Sequence, residues 1–315
     1  MNTTPARPAH LIAPQALPYD EFPESERSSD GMRVVTADLT SRHAGMTAGV
    51  EYARKDGHPL HTHVLTPPGP EGDERVFPLV AFVQGSGWLK QDLGANLPAL
   101  AEFARRGYVV AVIEYRPSSV APFPAQIKDA RTAIRHLCRN AAEFRIDPDR
   151  VVMWGDSSGG HTTVLTCLTE TDQYFSDEPL QDEPLNIRCF IDYYGPTDIS
   201  RMNEEPSVMD HIGPGSPEGM LIGGLDVLEH PERVAPTVAM NHVKPAPGLR
   251  PLLIVHGSKD RLVPFGQSVL LYDALREAGQ PVTFYRLAGA DHGGAPFWQE
   301  EILDLVDDFI RSNLR

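Results

Sequence analysis

Cysteine is scarce in this chain. The three present, Cys138, Cys167 and Cys189, are odd in number, and none forms a C-x-x-C pair. That argues against a disulfide framework or a cysteine zinc site and leaves them as small apolar residues. Positive charge is also short: 28 Lys and Arg stand against 43 Asp and Glu, a formal net charge of −15. A surface of that sign repels phosphate backbones and anionic membranes, so no nucleic acid and no membrane is expected as a partner. A neutral small molecule suits it better. No uninterrupted apolar run approaches the ~20 residues of a membrane span. The opening stretch Met1–Pro18 has no cationic start followed by an apolar core. It does not read as a secretory leader, and the expected location is cytoplasmic.

What is present is an ordinary globular composition, 41% hydrophobic and 23% charged over 315 residues. That is enough chain for one large domain or two small ones. Pro5, Pro8, Pro14, Pro18 and Pro23 block regular structure early, so residues 1–33 read as an arm and 34–315 as the domain. Short β-type runs appear at Val34–Thr36, Val50–Tyr52 and His61–Leu65. Longer apolar runs follow at Phe77–Val83, Tyr108–Ile113, Arg150–Trp154, Ile187–Tyr193, Leu252–Val255 and Val282–Tyr285. Between them the periodicity predicts helices over Leu97–Arg106, Pro124–Phe144, from Ser158 onward, Gly266–Ala278 and Phe297–Ser312. Asp147-Pro148-Asp149 reads as a turn. Apolar strands alternating with helices predict an α/β fold with a mostly parallel, doubly wound sheet flanked by helices. Ligand sites in such sheets gather at the C-terminal ends of the strands.

Gly155-Asp156-Ser157-Ser158-Gly159 lies at such an end, between a strand and a helix. This is G-x-S-x-G in the context that gives it meaning: a serine on a strained turn, flanked by glycines because side chains there would collide. Ser158 fails the pattern, since Asp156 stands two residues before it. Ser158 is instead expected to lend its backbone N–H to an oxyanion. A serine hydroxyl needs a base. Asp260 follows the strand ending at His256, and His292 sits in the loop Gly289–Gly294. The order Ser157, Asp260, His292 is that of a nucleophile, an orienting acid and a general base. Asp291 competes for the acid role, but it is the chain neighbour of His292. His61 and His63 share a strand face and could hold a metal as a pair, but no carboxylate or cysteine pattern accompanies them, so no metal and no cofactor is expected. His161 and His256 read as structural.

Gln84-Gly85-Ser86-Gly87-Trp88 follows another strand. Ser86 and Gly87, with Ser158, are the expected backbone donors of an oxyanion hole, and Trp88 is expected to line the substrate site or to supply an alternative N–H.

These runs, together with Ile146–Arg150, Tyr194–Asp198, Leu252–Pro264 and Gly289–Gly294, resemble the feruloyl/acetyl-esterase-like (BD-FAE) branch of the α/β-hydrolase superfamily, near the hormone-sensitive-lipase-like carboxylesterases. The resemblance runs from about Val50 to the C-terminus. It implies a carboxylesterase that cleaves small acyl esters, acetyl or feruloyl, on carbohydrate fragments. It also implies pairing of copies, a homodimer, through surface helices. Kynurenine formamidases and some aminopeptidases look similar in the same motifs, so an amidase or peptidase with the same triad stays open. A binding protein on a dead hydrolase fold would normally have lost a triad member. Residues from about 196 to 247 form a long insertion, expected to be a cap or lid over Ser157.

Overall fold

The computed structural model describes residues 11–12, 14–39, 42–70, 72–180 and 184–314. Pro5 and Pro8 of the expected arm lie outside these residues. The chain divides into two compact units, Met1–Ser41 and Arg42–Arg315. In the smaller unit the described residues hold one 3₁₀ turn, Tyr19–Glu21. The strand expected at Val34–Thr36 does not form. Val34 and Val35 are exposed, and β-branched residues favour a strand only where a pleated, half-buried surface receives them.

The larger unit is built on an eight-stranded sheet in the order β1-β2-β4-β3-β5-β6-β7-β8. The strands are β1 Gly45–Lys55, β2 His58–Thr66, β3 Phe77–Val83, β4 Val109–Ile113, β5 Ile146–Asp156, β6 Ile187–Tyr193, β7 Leu252–Gly257 and β8 Val282–Leu287. β1 and β2 run antiparallel to each other, and β2 antiparallel to β4; β3 to β8 are parallel. The helices are α1 Leu97–Ala104, α2 Ala125–Arg139, α3 Ala141–Phe144, α4 Ser158–Leu168, α5 Pro217–Leu221, α6 Pro231–Val234, α7 Gly266–Glu277 and α8 Glu300–Asn313. Among the described residues no helix is long and apolar enough to cross a membrane. Together these elements make the α/β-hydrolase architecture.

The unbroken apolar run of β3 serves two cores at once. Side chains alternate across a strand, so Leu79, Ala81 and Val83 enter one cluster with α2 and α4 residues such as Ile134 and Val164. Val80 and Phe82 enter another with Leu100 and Phe103 of α1 and Val306 and Ile310 of α8. Each of the larger side chains among these, fully buried, contributes about 1.5–3 kcal/mol.

Three expected boundaries shift for local reasons. The helix expected over Pro124–Phe144 breaks into α2 and α3 at Asn140, whose side chain donates to the His136 carbonyl at 2.8 Å and closes α2. Asp147-Pro148-Asp149 is not a free turn but an irregularity within β5, where the register with β3 jumps from Asp147 to Val151. The last helix begins at Glu300, after a 3₁₀ turn over Ala295–Trp298.

β3 lies between β4 and β5, so the chain reverses direction across the sheet there. The crevice at the strand ends of such a switch is where α/β sheets bind ligands. The loops leaving β3 and β5 there carry Ser86 and Ser157.

Candidate active site

Ser157 follows the last residue of β5 and adopts φ 52, ψ −124, a conformation that L-residues rarely occupy. Its N–H donates to the Tyr193 carbonyl at 2.8 Å, which helps to hold the strained turn. The flanking glycines are sterically required. A Cβ on Gly155 would strike the carbonyl of Gly159, and one on Gly159 would strike the carbonyl of Val83.

Ser157 Oγ lies 3.0 Å from His292 Nε2, and His292 Nδ1 lies 2.7 Å from Asp260 Oδ2. Asp260 is buried and fully used. Its Oδ1 accepts the N–H groups of Leu262 at 2.9 Å and Val263 at 2.8 Å. Its Oδ2 is shared with His256 Nε2 at 3.1 Å. Burial raises the Asp260 pKa, but the hydrogen bonds from His256 and His292 outweigh it and hold the carboxyl at about 2. An ionised carboxylate only accepts, so His292 carries its hydrogen on Nδ1 and offers the Nε2 lone pair to the serine hydroxyl. Tyr194 packs edge-on against the His292 ring at 4.6 Å between centroids.

Asp291 does not reach the imidazole. It is held by Arg261, whose Nε donates to it at 2.6 Å, and by the N–H of His292. His61 and His63 are used separately: His61 Nδ1 meets Glu114 at 3.0 Å, and His63 Nδ1 accepts the N–H of Gly49 at 3.0 Å. Among the described residues no three His, Cys, Asp or Glu side chains group as metal ligands.

The loop after β3 corrects the expected oxyanion donors. The Ser86 N–H is not available, because it donates to Ser158 Oγ at 2.9 Å. Tyr115 joins both serines, 2.9 Å from Ser86 Oγ and 3.0 Å from Ser158 Oγ. Ser86 thus brings a hydroxyl that binds into this network. Gly87 and Ser158 have backbone N–H groups without an intramolecular partner among the described residues. The loop is pinned from below by Asp156, which accepts the Gly85 N–H at 2.7 Å and is also met by Asn96 and Tyr194. Burial pushes the Asp156 carboxyl above its usual range, opposed first by the Gly85 N–H.

Trp88 borders the cavity, as expected. The residue is 1% exposed and packs with Ile199, Leu221, Ile222, Val227, Val234 and Val238 of the insertion. Its Nε1–H donates to His161 Nδ1 at 3.2 Å, and His161 Nε2 donates to the Thr237 carbonyl at 2.9 Å. Burial lowers the His161 pKa to about 4, so the ring stays neutral and can accept. Trp88 therefore anchors the insertion where it borders the cavity. Trp88→Ala is expected to cost about 3–5 kcal/mol of stability. It is also expected to raise KM more than it lowers kcat, because it loosens a cavity wall rather than the reacting groups. Thermal melts with steady-state kinetics check this; an unchanged melting temperature would refute the anchoring role.

The insertion between β6 and β7 consists of short helices, α5 and α6 among them. It supplies Pro196, Met209, His211, Pro217 and Glu218 to a cavity of about 270 Å³ that also holds Gly87, Ser157, Ser158 and His292. A second cavity of about 340 Å³, bordered by Gly85, Asn96, Asp156, Tyr194 and Gly293, also reaches Ser157 and His292. Three further side chains act on the site through others. His256 supports Asp260; Asp156 and Tyr115 hold the β3 loop. The spacing of His256 four residues before Asp260 was the one signal for the first of these.

The site's geometry can be set beside known proteins. The isoprenylcysteine alpha-carbonyl methylesterase ICME of Arabidopsis thaliana is 23% identical over 249 residues, 76% of this chain and 57% of that protein. Esterase LipC of Mycobacterium tuberculosis is 26% identical over 221 residues, 69% of this chain and 53% of that protein. The chain thus spans little more than half the length of these relatives. A solved structure described as a truncated form of carbohydrate esterase from gut microbiota superimposes with a TM-score of 0.75 and 26% identity, covering 88% of this chain and 98% of that one. The BD-FAE family model matches residues 68–275. With that match over most of the sheet and the nucleophile turn within it, the chain belongs to the BD-FAE family.

Proposed function

We propose that this protein is a serine carboxylic-ester hydrolase working through an acyl-enzyme. The observation that carries the reading is the hydrogen-bond chain Ser157–His292–Asp260, at 3.0 and 2.7 Å, on the wall of a cavity. Ser157 Oγ attacks the ester carbonyl carbon while His292 Nε2 takes its proton. The carbonyl oxygen becomes an oxyanion, held by the N–H groups of Gly87 and Ser158. His292 then returns the proton to the leaving alkoxide, and the C–O bond breaks. Water attacks the acyl-enzyme by the same route, giving up its proton to His292, and the acid is released with Ser157 restored.

The acyl group is small, of acetyl or feruloyl type, and the alcohol is a carbohydrate. The cavity supports a small acyl group, since about 270 Å³ lies just below the usual range of ligand pockets, about 300–1,000 Å³. The fold likeness to a carbohydrate esterase supports the alcohol half.

The test is a panel of p-nitrophenyl acetate, butyrate and decanoate with the matched amide, p-nitroacetanilide. The expected order of kcat/KM is acetate and butyrate first, with decanoate at least about tenfold lower because the cavity walls reject the chain. The anilide is expected last. Turnover of the anilide above the acetate ester would overturn the ester reading in favour of an amidase.

A further inference from the structure

A second histidine–carboxylate pair lines the cavity that holds Ser157, and the ester mechanism does not use it. His211 and Glu218 come from the insertion and are 2% and 3% exposed. His211 Nδ1 lies 2.9 Å from Glu218 Oε1, and its Nε2 faces the Leu262 carbonyl at 3.0 Å and Ser207 Oγ at 2.9 Å. The carboxylate only accepts, so Nδ1 carries hydrogen, while Nε2 faces a carbonyl that accepts and a hydroxyl that can do either. Burial works against a charged ring, but the hydrogen bond and charge of Glu218 raise the His211 pKa in spite of it.

One atom of the pair is left over. Glu218 Oε2 is buried and has no hydrogen-bond partner among the described residues. A buried carboxylate oxygen without a donor is costly to keep. Glu218 lines the cavity together with the apolar side chains of Leu89, Pro196, Met209, Pro217 and Val263. An entering donor therefore finds a carboxylate acceptor in an apolar lining. A protonated His211 beside it offsets the charge of Glu218, which favours a neutral donor such as a hydroxyl over a cation.

We propose that His211 and Glu218 form a hydroxyl-binding subsite, in which Glu218 Oε2 accepts a hydrogen bond from a hydroxyl that the ester carries a few bonds from its linkage. This rests on the reading of Ser157 as the ester nucleophile. It makes Glu218 a specificity-determining residue, with His211 positioning it. The preferred substrates are esters of hydroxylated molecules over alkyl esters of equal size.

The test compares matched pairs on the full-length chain. On the alcohol side, the monoacetates of ethylene glycol, propane-1,3-diol and butane-1,4-diol are set against propyl, butyl and pentyl acetate. On the acyl side, ethyl 3-hydroxybutyrate is set against ethyl 3-methylbutyrate. Each kcat/KM is divided by the rate of hydroxide hydrolysis of the same ester, which removes intrinsic activation by the hydroxyl. The wild type is expected to favour the hydroxylated member of at least one pair by about 10- to 100-fold, mostly through KM. In Glu218→Gln an amide takes the place of the carboxylate and can present its NH₂ as a donor where Oε2 accepted, so the preference is expected to collapse. The ratio is internal to one preparation, so partial misfolding of the variant cancels. A wild type without preference in any pair, or a variant that keeps it, overturns the subsite while turnover of the alkyl esters leaves the ester reading standing. No turnover of any ester by the wild type overturns both.

Discussion

Ser157→Ala is expected to lower kcat on p-nitrophenyl acetate by about 10⁶-fold, the cost of removing the nucleophile from a serine triad. The residual rate reflects the groups left behind, since the Gly87 and Ser158 N–H groups and the cavity still bind the ester. KM should change little, because Ser157 Oγ makes its decisive bond only after binding. The change takes away one hydroxyl whose partner is His292 Nε2 at 3.0 Å. It leaves the backbone at φ 52 in place, held by Tyr193. A fluorophosphonate reagent gives a readout independent of turnover. Intact-mass spectrometry should show one adduct on the wild type and none on Ser157→Ala. An adduct on the variant, or retained hydrolysis, would move the nucleophile elsewhere.

Asp260→Asn is expected to lower kcat by about 10⁴-fold with the fold intact. The reason is a tautomer. Asp260 Oδ1 receives the N–H groups of Leu262 and Val263, so an asparagine places its oxygen there and its NH₂ at the position of Oδ2. That NH₂ would face His292 Nδ1, now 2.7 Å from an acceptor. His292 must then turn Nδ1 into the acceptor and carry its hydrogen on Nε2, where it cannot take the proton of Ser157. The same NH₂ faces His256 Nε2, which keeps its hydrogen through the Val263 carbonyl at 3.0 Å. Two donors meet there, so some loss of stability accompanies the loss of rate. Kinetics with a thermal melt separate the two. A variant within tenfold of wild type would remove Asp260 from the mechanism and return Asp291 to consideration.

Much of this protein is legible one residue at a time. The long apolar runs within β3 to β7 declare buried parallel strands, because a strand covered on both faces carries apolar residues on both. The glycines at 155 and 159 declare a turn too tight for side chains, and the order of Ser157, Asp260 and His292 follows from chain position relative to strand ends. These signals are local: each depends on a few neighbouring residues and on backbone sterics.

What only the tertiary structure decides are the matches between distant groups. Ser86 and Gly87 are equally good backbone donors in the sequence, and the choice between them falls to a hydroxyl 72 positions away in the chain, on Ser158. Trp88 reads as a site-lining aromatic, and only the folded insertion shows that it also belongs to a separate apolar cluster. Val34 and Val35 have strand propensity but stay exposed without a strand. His211 and Glu218 carry no motif at all; they become a pair because the insertion buries them together beside Ser157. The physical reason is the same in each case. Periodicity and glycine placement record what the backbone can do, whereas hydrogen-bond partnership and burial depend on which surfaces meet once it has folded.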